Sequence, residues 1–247
     1  MIDDAEPGQG LMSHLLELRA RTLRALLALG VAFLALLPFA NDLYAQLAAP
    51  LLAHLPDGGQ LVAVDVASPF FAPMKLTLFV ALLVAVPVML YQAWAFVAPG
   101  LYRNERRLAL PLLVAAVVLF YVGIAFAYFV LLPAMFAFLT ATVPEGVAMM
   151  PDINAYLSFV LVMGLAAGLA FEMPIAVLVA LMLGWVTPAQ LSEWRGYVVV
   201  AIAILAALLT PPDGLSMILL MIPMWLLYEA GLLVGRVLVR AKPSAAA

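Results

Sequence analysis

Six long apolar runs, separated by short charged or proline-rich stretches, leave this chain very few folds. They occupy residues 22–40, 74–98, 108–139, 155–183, 196–210 and 214–235. A helix crossing a bilayer needs roughly 20 such residues. The expected fold class is all-α: a polytopic membrane protein with six transmembrane helices forming one domain over residues 1–247. Composition agrees, since 68% of the chain is hydrophobic and 10% charged, where a soluble domain would carry roughly 25% charged residues. Residues 1–12 read as a flexible extension and 241–247 as a short tail. The opening MIDDAEPGQG is acidic and lacks the charged-then-apolar layout of a signal peptide, so the first run is expected to stay in the mature protein.

Charge divides the connections into two classes. Arg19, Arg21 and Arg24 flank run one, Arg103, Arg106 and Arg107 lie between runs two and three, and Arg195 lies between runs four and five. Arg236, Arg240 and Lys242 follow run six, which leaves Lys75 alone near the other side. Basic residues mark the cytoplasmic face of a membrane protein. Both termini are therefore expected in the cytoplasm. The opposite side carries Asp42, Asp57, Asp65, Glu145, Asp152 and Asp213. Its longest segment, residues 41–73, contains Pro50, Pro56, Pro69 and Pro73. Proline confines such a segment to short, stiff pieces. A helix over 42–55 and an extended stretch over 61–66 are expected, forming an ordered extracytoplasmic cap.

The last two runs are short. Between Arg195 and Pro211, and again between Asp213 and Glu229, only fifteen residues are uncharged and free of proline breaks at their ends. Each spans about 22 Å as a helix, against a hydrocarbon core of about 30 Å. Either the bilayer thins beside them, or Trp194, Trp225 and Tyr228 sit in the interface and absorb the mismatch.

Three carboxylates stand out against this background. On a helix His14, Glu17, Arg21 and Arg24 share one face. A local Glu17–Arg21 ion pair accounts for Glu17 alone, and charge compensation accounts for Glu105 among Arg103, Arg106 and Arg107. Together, two carboxylates on the basic face suit a ligand with two guanidinium groups, because arginine pairs bidentately with carboxylates. Glu172 lies inside run four, about 16 Å from its basic end. An acid at that depth costs about 2.5–3.5 kcal/mol and normally faces protein or a watery cavity. Gly164, Gly168 and Glu172 share a helix face, where small residues let another helix approach closely. Glu172 is either hydrogen-bonded and protonated within the fold or turned toward a partner or transport path. Pro174 leaves the carbonyl of Ala170 without its helical donor. Asp213 in TPPD reads as the helix N-cap of run six, and Glu229 is expected to pair with Arg236 or to snorkel.

Other chemistries find little support. The chain has no cysteine, and His14 and His54 are far apart, so thiolate chemistry is excluded and a histidine metal site is not expected. No cofactor is called for, and nothing basic and aromatic-interleaved suggests nucleic acid. A secondary transporter using Glu172 would be expected to show a repeat between the halves, which the sequence lacks. A membrane enzyme would need a nucleophile or metal set.

The segments HLLELRAR (14–21), DVASPFF (65–71), YQAWAFVAPGLYRNERR (91–107), FEMP (171–174) and LLTPPD (208–213) together resemble the TatC family. That family supplies the core receptor of the twin-arginine protein translocase, and the resemblance runs in order over residues 13–240. It implies binding of twin-arginine signal peptides of folded proteins, and assembly with the single-span proteins TatB and TatA. It also implies self-association in the bacterial inner membrane and transport driven by the proton-motive force. Matched by motif, the signal-peptide residues are Glu17, Arg19, Phe96 and Glu105, with Glu17 and Glu105 receiving the two arginines. Glu172 would lie on a concave intramembrane face, and Pro50, Pro69 and Asp213 in extracytoplasmic elements needed for transport. Run five would contribute to docking TatB or TatA.

Overall fold

The computed structural model describes residues 7–52, 62–97, 108–142, 152–210 and 214–240. The first run folds as α1 (Pro7–Leu36), and helical backbone continues past the proline that follows it. Pro38 falls in the first turn of a 3₁₀ segment, Leu37–Phe39, where a missing N–H costs little. The chain keeps helical backbone there and continues as α2 (Ala40–Leu52). The helix expected from residue 42 thus starts two residues earlier and is continuous with the first span. Leu43 and Tyr44 of α2 lie against Ala72, Leu76 and Leu157, so this outer helix rests on the spans as a cap. Leu61 lies outside the described residues, and the rest of the stretch expected to be extended pairs at one point only, a parallel bridge between Val62 and Asp152.

The next three spans follow the sequence pattern, with prolines setting their shape. α3 (Ser68–Val97) tolerates Pro87 because the carbonyl it strands, that of Leu83, accepts a hydrogen bond from Tyr121 Oη at 2.7 Å. Tyr121 belongs to α4 (Ala109–Phe126), which passes through a π turn (Ala127–Leu131) into α5 (Leu132–Ala141). Pro133 cannot donate to Phe129, and the widened turn before it absorbs that loss. Run four is broken at Glu172 into α6 (Ile153–Phe171) and α7 (Met173–Met182). The cause is Pro174 in the first turn of α7; the Glu172 N–H instead donates to Leu169 O at 3.1 Å. This broken span is the most buried of all and forms the centre of the molecule.

Around it the packing is close. A Cβ on Gly123 of α4 would lie 2.6 Å from the Ala167 carbonyl oxygen, and one on Gly168 would lie 2.9 Å from the Phe120 ring. The glycine face of α6 is therefore occupied within the same chain, at Gly168 by Phe120 and Ile124 of α4 and at Gly164 chiefly by Phe79 of α3, which is the close helix approach expected of it. α1 lies at the periphery, packed chiefly on α3, and its outward leucines and valines are exposed as a lipid-facing surface would be.

A short capped helix, α8 (Pro188–Glu193), leads into α9 (Arg195–Leu209) and α10 (Gly214–Arg240). Among the described residues five helices are long and apolar enough to cross a membrane, and α9, at 15 residues, is a sixth apolar helix. α9 is as short as expected. α10 is different: its uncharged stretch ends at Glu229, yet the helix continues to Arg240, 27 residues in all. Glu229 does not end the span because Arg195 Nε and Nη2 donate to its two carboxylate oxygens at 2.7 Å each. The partner expected for Glu229, Arg236, donates instead to Ser192 Oγ. Lys75 falls at the acidic end, where its Nζ donates to Asn154 Oδ1 at 2.7 Å.

Candidate functional site

At the basic end, α1 and α3 run antiparallel and bring two of the expected site residues together. Phe96, one residue from the end of α3, stacks on His14 of α1 with ring centroids 4.3 Å apart and planes at 25°. One helical turn from His14, on the same face, Glu17 is half-buried. Its Oε1 accepts from Arg21 Nε at 2.9 Å and from Nη2 at 2.5 Å. The local i, i+4 ion pair is thus formed. Both bonds fall on one oxygen, and among the described residues none falls on Oε2. Arg21 is the more buried partner, with 19% of its side chain exposed against 37% for Glu17, so the carboxylate remains the reachable half of the pair.

Arg19 is not gathered into this group. Two residues from Glu17, it projects from the opposite flank of α1 and is exposed, with no ion pair among the described residues. Glu105 lies outside the described residues. Of the side chains that the sequence reading did not name as site residues, one joins the group and a second lies a turn away from it. His14 supplies the ring beneath Phe96, and only its shared face with Glu17 pointed to it. Gln92 lies one turn before Phe96 on the same face of α3, and its Oε1 is buried with no hydrogen-bond partner among the described residues.

Glu172 sits at the α6–α7 break and is half-buried. Its backbone is committed, since its carbonyl accepts from Ala176 N at 3.0 Å. Its side chain is not: Oε1 is fully enclosed and lacks a partner among the described residues. The expectation of an internally hydrogen-bonded acid therefore finds no bond at that oxygen.

At the acidic end, Pro69 occupies the first turn of α3 and is exposed. Pro50 falls within α2, where its backbone is helical. Asp213 lies outside the described residues, so its reading as a cap on α10 does too. Asp152 is the anchor here that the sequence reading passed over as one acid among six. Its Oδ1 caps α6 by accepting from Asn154 N at 3.0 Å and Ala155 N at 2.8 Å. Its Oδ2 accepts from Val64 N at 3.1 Å, tying the cap segment to the span. These N–H groups, Ala155 first and Val64 next, hold its carboxyl below the usual carboxylate range.

What the basic end presents is a reachable carboxylate beside an aromatic surface. Such a set recognises a cation, and most specifically a guanidinium that can use both a carboxylate and a ring face. Among the described residues no three His, Cys, Asp or Glu side chains come together as a metal set.

Comparison with known proteins gives one consistent result. Residues 13–223 match the family model described as Sec-independent protein translocase protein (TatC). A TatC protein of Azotobacter chroococcum is 49% identical over 243 residues, covering 98% of this chain and 95% of that protein. Its counterpart in Escherichia coli K12 is 49% identical, covering 95% of this chain and 90% of the relative. A crystal structure of the twin arginine translocase receptor TatC superposes with a TM-score of 0.79 at 36% identity, covering 92% of this chain and 100% of that one. Sequence, topology and fold agree, and the chain belongs to the TatC family of Sec-independent protein translocase proteins.

Proposed function

We propose that this chain is the signal-peptide receptor of a twin-arginine translocase, with its basic end in the cytoplasm of a bacterium and its helices in the inner membrane. The observation that carries the site is the grouping of Glu17, His14 and Phe96 on the basic end of α1 and α3, with one Glu17 oxygen left for a ligand. Glu17 and Glu105 receive the two arginines of a signal peptide. Phe96 provides the apolar wall, and Arg19 on the opposite flank shapes the approach. The crystal-structure relative is described as a twin arginine translocase receptor, which supports the same role here.

Magnitudes refine the mode of binding. Exposed ion pairs contribute about 0–1 kcal/mol and charge-assisted hydrogen bonds about 1.5–3. Two carboxylates at an interface therefore give reversible, salt-sensitive recognition. The apolar segment of the signal supplies the remainder by lying against lipid and the spans. Glu172, with an unpartnered enclosed oxygen, offers a polar contact for a partner's transmembrane helix. TatB and TatA, assembling along α9, and further copies of this chain complete the complex. Pro50, Pro69 and Asp213 serve on its outer side. Transport draws on the proton-motive force, and this chain hydrolyses no nucleotide.

Glu105→Ala tests the assignment. Binding of a twin-arginine precursor to membranes carrying this variant is expected to fall severalfold, with insertion of the protein unchanged. Loss of insertion would instead make Glu105 a structural residue and remove half of the proposed receptor.

A further inference from the structure

A 15-residue span has no length to spare, so something other than hydrophobic matching must set its depth. We propose that Arg195 and Glu229 form a depth latch that fixes α9 against α10. The inference rests on the multi-pass membrane fold and not on signal-peptide recognition.

The geometry is that of a matched hairpin. From Arg195 to Leu209 is 14 steps and from Gly214 to Glu229 is 15 steps, about 21 and 22 Å at 1.5 Å per residue. The two charged residues therefore meet at one level, at the end opposite the turn. Their contact is bidentate, with both guanidinium bonds at 2.7 Å and the Glu229 side chain only 16% exposed. Two more bonds dock the preceding connection on the same helix: Tyr228 Oη donates to Leu191 O at 2.6 Å, and Arg236 donates to Ser192 Oγ. A Thr187–Gln190 capping box stiffens the start of α8, the helix that carries both contacts. α10 is thus bonded to both α8 and the start of α9.

Depth follows from position along α10. Glu229 lies seven residues before Arg236, about 10 Å deeper than the basic rim at Arg236. Exposed rings at Trp194 and Tyr197 flank Arg195 and place interfacial chemistry at this lower level. A lone charge so far below the rim is unfavourable, whereas a bidentate pair neutralises both partners. With the pair intact, α9 is carried by the long helix α10. With Glu229 removed, Arg195 is driven toward water and draws α9 toward the basic face.

The chain has no native cysteine, so single-cysteine labelling reads this directly. Val200→Cys and Leu208→Cys place probes near opposite ends of α9, both on exposed positions. A membrane-impermeant maleimide would be applied from the basic face to Val200→Cys and from the acidic face to Leu208→Cys. In Glu229→Gln, labelling at 200 is expected to accelerate on the order of tenfold while labelling at 208 slows. The swapped pair Arg195→Glu with Glu229→Arg is expected to restore both rates. General loosening would accelerate both probes, and that result, like unchanged rates, overturns the latch. Should Glu229→Gln fail to accumulate, recovery of protein and labelling pattern in the swap supports it, and no recovery overturns it.

Discussion

Glu17 and Asp152 show how differently a carboxylate is used at the two ends of one molecule. Glu17 keeps one oxygen clear of the Arg21 pair and so remains available to a ligand. Asp152 spends both oxygens on backbone N–H groups and is structural. Its pH signature has a definite sign. A carboxyl held below its unfolded value, about 3.9, stabilises the fold above that pH and loses the contribution as pH falls through the lower folded value. Asp152→Asn should therefore show a flatter loss of thermal stability on acidification below about pH 4 than the parent. Parallel acid profiles in detergent would contradict the assignment. Residue spacing made the shared face of His14, Glu17 and Arg21 legible in the sequence. The stacking of His14 on Phe96 was not, because it depends on the antiparallel register of α1 on α3. Asp152 was equally hidden, since its second partner, Val64, lies 88 residues away.

Among the helices, prolines and glycines fix shape and distance. The sequence placed Pro174 beside Glu172 and so foretold a fault in the central span. It could not show that Tyr121 would cover the carbonyl stranded by Pro87, which requires α4 to lie against α3. Nor could it choose which helices fill the glycine face of α6; the answer is α4 at Gly168 and α3, through Phe79, at Gly164. Gly123 carries that choice, because a Cβ there would meet backbone atoms at 2.6 and 2.9 Å that cannot turn aside. Gly123→Val is expected to cost about 1–3 kcal/mol through the forced separation of α4 and α6. Gly30→Ala, with nothing within 4 Å of the new Cβ, should change stability by less than about 1 kcal/mol. Thermal unfolding in detergent distinguishes them, and equal losses would show that the α4–α6 approach is not set by Gly123. The pairing of Glu229 with Arg195 escaped notice for a related reason. Along one helix Arg236 is the obvious cation, but the short hairpin brings Arg195 to the same level from the neighbouring helix.

At the scale of the whole molecule, charge placement was the most legible feature, because orientation depends only on which connections are basic. In the fold, His14 and Phe96 lie at one end with the Arg195–Glu229 pair and Arg236, while Lys75, Asn154 and Asp152 lie at the other. Reporter fusions after Trp185 and after Arg240 should both report the cytoplasm, which requires α9 and α10 each to cross. A C-terminal reporter on the outer side would mean that α9 does not span. Recognition of paired arginines at the basic end is tested most directly by affinity for paired signal peptides. Purified protein in nanodiscs would be titrated with a twin-arginine signal peptide and with the same peptide carrying two lysines. If Glu17 and Glu105 engage guanidinium groups bidentately, the lysine peptide binds at least about tenfold more weakly, and added salt weakens the arginine peptide. Equal affinity for the two peptides would contradict the account.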